Sequence, residues 1–436
     1  MACLKGCTLK IIYLHQYFNT PEMSGGTRSY EMARRMVAAG HEVHMITSFR
    51  EEDPSKSGWF KTEAAGIQVH WYPVPYSNHM GFCQRIKAFI AFALAARNKA
   101  VELDGDIIFA TSTPLTIALP AVPASRKKKI PMVFEVRDLW PEMPIAVGAL
   151  NNPLLRYAAH KLEHWAYLNA SAIVALSPGM KAGVVRTGYS ANKVAVIPNS
   201  SDNAEFKHGP EAAARFRAER KWLGDRPLLV YTGTFGPTNG VGYMVTLASE
   251  LSALGSDIRI LLVGDGAERE RVISEAEKEG VLNRNLFVEK QLPKREIPAL
   301  LSAATMASSL FIDLPEMRPN SANKFFDALA AGTPIMLNYG GWMHDLVSQN
   351  NCGLAMWRKP IADVAAELVK RMHDEAWLGQ AGASARQMAE NCFARDHLAK
   401  QLISVLEAVV EGCPDRAEEI APGNYTWNIG REWPAA

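Results

Sequence analysis

What most constrains this chain is an alternation of short β-rich runs with amphipathic helical stretches, carried through twice. In the first half "LKIIYLHQYF", "HEVHMITS", "IQVHWYPVP", "DIIFATST", "PMVFEVRD", "SAIVALSPGM" and "KVAVIPNS" read as strands, and "RSYEMARRMVAAG" reads as a helix closed by Gly40. A helix between two strands returns the chain to the end of the sheet it left, so the strands run parallel and helices cover both faces. After "NSSDNAEF" the pattern restarts with "PLLVYTGTF", "IRILLVGDG", "LFVEK", "MASSLFIDL" and "PIMLNYG" as strands. With 436 residues, the chain is longer than one core usually supports. The expected fold is therefore α/β, two doubly wound Rossmann-like domains spanning 1–205 and 206–395, with the break near Ser201 to Lys207. The helix "FARDHLAKQLISVLEAVV" opens the last segment, 396–436. Sheets of this kind bind ligands beyond their strand C-terminal ends, which places the chemistry in a cleft between the domains.

The bulk composition narrows the function classes. A net charge of +2 gives no electrostatic footprint for nucleic acid. Cys3, Cys7, Cys83, Cys352, Cys392 and Cys413 are scattered without paired metal spacing and read as reduced thiols. The longest apolar run, Ala88 to Ala96, falls short of a membrane span, and no secretory leader is legible.

Candidate site residues lie in the loops after the strands. Gly25 and Gly26 follow the first strand and precede a helix, so the turn either receives a phosphate or sugar oxygen or is a plain tight turn. In "VFEVRDLWPEMP", Glu135, Arg137 and Asp138 stand at a strand end. Either Asp138 orients an acceptor with Glu135, Arg137 and Trp140 around it, or the three charges form an ion network. In the second half, Gly233, Thr234, Gly236, Asn239 and Gly240 follow one strand, and Gly264 and Gly266 the next. Neither half carries the full G-x-G-x-x-G of a nicotinamide or flavin enzyme.

The most informative stretch is "RPNSANKFFDALAAGTP", Arg318 to Pro334. Apolar residues at helical spacing are stopped by Gly332 and Pro334. If Asn320 or Ser321 caps this helix, then Asn323, Lys324 and the first-turn amides converge on an anion such as a diphosphate, with Arg318 close by. Asp327 lies a turn further in, about 6 Å, which matches the reach from a diphosphate to ribose hydroxyls. The alternative is a surface Lys–Asp pair.

Together "SGGTRSYEMARRMVAAGHEVHMITS", "SAIVALSPGM", "VAVIPNSSD", "YTGTFGPTNGV", "LLVGDGAERERV" and "ANKFFDALAAGTPIM" resemble family 4 glycosyltransferases of the GT-B fold, from about Leu9 to Val410. The form of "EVRDLWPE" and of the last motif looks most like transferases of N-acetylfucosamine and related sugars from bacterial polysaccharide clusters. The resemblance implies a retaining transferase without a catalytic metal or other catalytic cofactor. It implies a UDP-sugar donor held by the second domain, an acceptor held by the first, and a C-terminal helix crossing back to the first. It assigns catalytic roles to Asp138, Lys324 and Asp327, and donor contacts to Gly25, Gly26, Thr234, Gly236, Asn239, Gly264, Gly266, Arg318, Asn323, Lys324 and Asp327. Four positions depart from the family pattern. Pro319 replaces the first acid of the Glu, seven residues, Glu signature, while Thr234 and Asn239 replace basic residues that neutralise the diphosphate. Arg137 stands where many members have His.

The expected acceptor is a lipid-diphosphate-linked glycan. "GFCQRIKAFIAFALAARNKAVEL", edged by Arg85, Lys87, Arg97 and Lys99, and the run Arg126 to Lys129 either lie on an anionic membrane or form a core-facing helix and a solvated charge run. The expected location is the bacterial cytoplasm, at the inner face of the plasma membrane. Alternatives on the same frame are a nucleotide-sugar 2-epimerase and a non-catalytic glycan-binding protein.

Overall fold

The computed structural model describes residues 8–425 apart from 24, 52, 54, 76–81, 113 and 207–209. Cys3, Cys7, Lys207 and the tail beyond 425 lie outside the described residues, as do the side chains of Cys83 and Arg85. The chain divides into two compact units, Met1–Pro198 with Asp396–Gly423, and Asn199–Arg395 with Asn424–Ala436. The break thus falls seven residues before the expected 205, because "NSSD" bonds to the second unit. Asn199 donates its backbone N–H to Ser321 Oγ at 3.2 Å, and its side chain donates to the Ser321 carbonyl at 2.6 Å.

In the first unit the strands are β1 (Lys10–Leu14), β2 (Glu42–Phe49), β3 (Phe60–Ala64), β4 (Ile67–Pro73), β5 (Ile107–Thr111), β6 (Met132–Val136), β7 (Ala172–Ala175) and β8 (Val194–Val196). Their spatial order is β3-β4-β2-β1-β5-β6-β7-β8. All neighbours are parallel except β3, which pairs antiparallel with β4 at the edge. This edge strand escapes sequence reading because "FKTEA" has no apolar alternation and only Phe60 and Ala64 are partly covered. The inner strands are buried on both faces. Ile12 and Leu14 of β1 join one core layer, while Ile11 and Tyr13 join the other. From Asp396 on, the helix Arg395–Val410 belongs to this unit and buries Leu398, Leu402, Val405, Leu406 and Val409 in the layer of Ile11 and Tyr13.

In the second unit β9 (Leu228–Thr232), β10 (Arg259–Val263), β11 (Leu286–Glu289), β12 (Met306–Ser309), β13 (Ile335–Leu337) and β14 (Gly353–Ala355) form a parallel sheet ordered β11-β10-β9-β12-β13-β14. Each sheet reverses its winding once, between β1 and β5 in the first and between β9 and β12 in the second. At such a reversal the helices depart to opposite faces and leave a crevice beyond the strand ends.

A buried ion pair anchors the first unit at its strand ends. Arg28 donates from Nε and Nη2 to Glu135 Oε1 at 3.0 and 2.9 Å, and to the Ile197 and Pro198 carbonyls at 2.8 and 2.5 Å. Thr111 Oγ1 donates to the other carboxylate oxygen at 2.6 Å. Glu135 is fully buried and its two oxygens are both engaged. The expected acceptor-side role of Glu135 is therefore corrected to a structural one, and no Glu–Arg–Asp network forms with Arg137 and Asp138. Glu135→Ala leaves the Arg28 cation buried without its counter-charge and is expected to lower stability by about 3–5 kcal/mol, measured by urea unfolding.

Candidate functional site

The helix Asn323–Ala331 follows β12, one partner in the second unit's reversal. Its start differs from expectation. The N-cap residue is Ala322, and no side chain caps the first turn. The Asn320 side-chain amide instead bonds back to the Met317 carbonyl, and Ser321 Oγ accepts from Asn199. The positive end of the helix is thus left open, which is where an anion is stabilised. Its other end is as expected: Gly332 takes the left-handed conformation and Pro334 follows.

Lys324 reaches from this first turn over β9. Its Nζ lies 3.0 Å from the Tyr231 hydroxyl and 4.1 Å from the ring centroid. The Tyr231 hydroxyl spends its own proton on the Thr234 carbonyl at 2.8 Å, so it accepts from Lys324. A Cβ at Gly233 would come within 2.9 Å of Nζ, the movable end of the lysine, and the φ of +144° is what favours glycine at this position. Among the described residues no carboxylate pairs with Lys324. Burial pushes its pKa down to about 7. A desolvated cation without a counter-ion, beside an open helix start, is a site waiting for an anion. The surface Lys–Asp pair is excluded, because Lys324 and Asp327 bond elsewhere.

Asp327, buried one turn deeper, is held by two groups absent from the sequence-based set. Lys294 Nζ donates to Oδ2 at 2.6 Å, and Ser201 Oγ donates to Oδ1. Lys294 also lies 5.3 Å above the Phe206 ring. The carboxylate is therefore not idle, although two partners leave further lone-pair sites on its oxygens. Lys294 belongs to "LPKREIP", in which no local signal ties it to Asp327.

The glycine loops have mainly internal reasons. A Cβ on Gly264 would fall 1.8 Å from the Gly233 carbonyl, and one on Gly266 would fall 2.7 Å from the Phe235 carbonyl. The loops after β9 and β10 thus pack backbone against backbone, joined by Gly233 N–H to Val263 O and Phe235 N–H to Asp265 O. Gly236 opens the short helical turn Pro237–Asn239, where Asn239 N–H bonds Gly236 O. Arg318 does not pair with Asp327. It lies 4.0 Å from Asp313 and 4.9 Å over the Trp357 ring. Asn323 is exposed at the helix start.

In the first unit, Gly25 (φ +125°) closes against Asn19, whose Nδ2 would stand 2.7 Å from a Cβ there and bonds the Gly26 carbonyl at 3.4 Å. The helix Arg28–Ala38 that follows has no side-chain cap. Beyond β6, Arg137 donates its backbone N–H to Ser112 Oγ at 2.9 Å, and its guanidinium lies 3.4 Å from His15 Nε2. Asp138 makes no hydrogen bond or ion pair among the described residues, and burial raises its carboxyl to about 6 against the opposing pull of Arg137. Trp140 packs on the core layer of Ile12 and Leu14.

Two family models match consecutive stretches, a glycosyl transferase 4-like domain over residues 25–200 and glycosyl transferases group 1 over residues 213–393, between them most of the chain. The chain is a glycosyltransferase of the GT-B fold. It is 24% identical over 279 residues to a 2-deoxystreptamine glucosyltransferase of Streptomyces kanamyceticus, covering 63% of this chain and 67% of that one. It is 24% identical over 379 residues to a glycogen synthase of Mycobacterium tuberculosis, covering 84% and 87%. The crystal structure of Anabaena HepE in complex with UDP-glucose superposes with a TM-score of 0.69 at 16% identity, over 92% of this chain and 100% of that one.

The lysine gives a pH prediction for the GT-B transferase. A bound diphosphate raises the Lys324 pKa, so the complex holds more protons than the free protein above pH 7. UDP-sugar affinity is expected to fall as pH rises beyond about 7, by up to about tenfold per pH unit, and Lys324→Met is expected to flatten this dependence in calorimetric titrations.

Proposed function

We propose that the chain is a retaining glycosyltransferase that moves a hexose, N-acetylated or deoxy, from a UDP-sugar to a lipid-linked or glycan acceptor in bacterial surface polysaccharide assembly, as of O-antigen, capsule or exopolysaccharide. The observation that carries the reading is Lys324, an unpaired cation at an open helix start, with Asp327 one turn deeper. The diphosphate lies against Lys324 and the first-turn amides, and the ribose hydroxyls bond to Asp327 alongside Lys294 and Ser201. The likeness to a protein solved with UDP-glucose supports UDP, and the polysaccharide setting rests on the motif resemblance.

As the bond from the sugar C1 to the β-phosphate oxygen breaks, negative charge grows on the phosphate, where Lys324 and the helix start stabilise it. The acceptor oxygen bonds to C1 on the same face, and its proton passes to the departing phosphate. Asp138, ionised above about pH 6, accepts a hydrogen bond from the acceptor hydroxyl and holds it in line. Asp327→Ala is expected to weaken UDP binding by about tenfold to a hundredfold, the loss of charge-assisted bonds to ribose. Unchanged calorimetric affinity would sink the site assignment.

The same reading places the first unit on a membrane surface. The helices Phe82–Glu102, Ala118–Lys128 and Pro153–Asn169 pack side by side. Their outer stripes combine exposed Ile90, Leu94, Leu154, Tyr157 and Leu168 with Lys87, Arg97, Arg126, Lys127 and Lys161. Among the described residues no helix is long and apolar enough to cross a membrane. Basic and apolar groups on one face suit an anionic bilayer. The protein is expected to sediment with phosphatidylglycerol vesicles and not with phosphatidylcholine ones. Leu94→Glu with Leu168→Glu is expected to abolish this while leaving UDP affinity unchanged.

A further inference from the structure

The first unit has its own winding reversal, between β1 and β5, and the chain leaves those strands through His15 and Ser112. His15 is 3% exposed and Gln16 1%. Arg137, beyond β6, ties these ends together through its contact with His15 and the bond its backbone N–H donates to Ser112. Arginine keeps its protons, so His15 Nε2 has to act as the acceptor and the imidazole proton sits on Nδ1. Burial, with Arg137 and Arg50 nearby, holds the ring well below its usual range and therefore neutral.

That Nδ1 has no hydrogen-bond partner among the described residues, and neither has the buried Nε2 of the next residue, Gln16. A buried donor left without an acceptor is destabilising, and two in consecutive residues just beyond the strand reversal point to an external acceptor. Both donors are neutral and suit a neutral acceptor, and a carboxylate in the loop that carries Arg137 weighs against an anion. Asp138, one residue past Arg137, contributes a carboxylate with no protein partner. Neutral donors beside a carboxylate match a hydroxyl, which accepts and donates at once.

We propose that His15 Nδ1–H and Gln16 Nε2–H bind a sugar hydroxyl at the first unit's strand reversal, with His15 as the specificity-determining residue. This rests on the glycosyl-transfer reading, and the hydroxyl belongs to the acceptor or to the transferred sugar.

The test uses full-length protein carrying 15N-histidine, the His15 signal being assigned by its absence in His15→Asn, with UDP, UDP-glucose and methyl α-glucopyranoside as probes. The free protein is expected to show the neutral ring protonated at Nδ1. A shift of that signal with methyl glucoside identifies acceptor hydroxyls, and a shift with UDP-glucose but not UDP identifies the transferred sugar. A ring protonated at Nε2, a shift with UDP alone, or no shift with any probe overturns the proposal. Should UDP fail to bind while methyl glucoside still moves His15, the donor site falls and this one stands. Variants separate binding from support, because an asparagine amide mimics Nδ1 and a glutamine amide mimics Nε2. His15→Asn is expected to keep the affinity for the responding probe, and His15→Gln to weaken it about tenfold, the loss of one buried hydrogen bond. The reverse order would show that His15 serves only to hold Arg137.

Discussion

A parallel sheet whose winding reverses leaves one pair of strand ends that no crossover helix covers, and this chain has two such places. The candidate site residues of either unit are arranged around that gap. In the second unit the strands on either side of it are β9 and β12, and the groups beyond them are Tyr231, Gly233 and the start of the helix that carries Lys324. In the first they are β1 and β5, and the groups are His15, Ser112 and, from the next strand, Arg137. The sheets supply rigidity because their strands are buried on both faces, so side chains at the ends are held by a core rather than by loops.

Holding a charge at such a place has a cost that the neighbouring residues distribute. Arg28 and Glu135 meet it by pairing with each other and with two carbonyls and a threonine, which commits both buried groups to the structure. Lys324 meets it only in part. One hydroxyl and one aromatic face take the place of a carboxylate, and the lysine pKa drops in consequence. The difference between the buried Arg28 and the part-buried Lys324 lies in what each one bonds, not in residue type.

That contrast also explains what was legible in the sequence. The two doubly wound sheets follow from period and spacing, since parallel strands need apolar runs and long crossovers. Edge strand β3 was invisible because a solvent-facing edge imposes no apolar alternation. The helix carrying Lys324 and Asp327 was legible through its spacing and its Gly–Pro stop. Its missing cap was not, because whether Asn320 and Ser321 cap depends on where Met317 and Asn199 bring competing partners. Glu135 read like a cleft residue because sequence shows three charges in a row but not that the partner of the first is Arg28, over a hundred positions earlier. Lys294 and Ser201 were missed for the same reason, being joined to Asp327 only by the fold.

The departures from the family pattern take on a physical meaning in this frame. Thr234 and Asn239 occupy positions where many relatives carry cations, and Pro319 replaces an acid. Removing two cations and one anion from a loop cluster leaves its net charge lower by one positive unit, and the burden of anion attraction moves to a lysine in the helix. A helix lysine carries its charge along the dipole axis, where the amides already favour an anion, so one cation there acts together with the first-turn N–H groups. The second unit is thus biased toward a charged ligand. The first unit, with a neutral histidine, a glutamine amide and an unpaired carboxylate at its reversal, is biased toward groups that carry no charge but both donate and accept. Two parallel sheets that each reverse their winding once thus differ in the charge at their strand ends, a difference the sheets themselves do not impose.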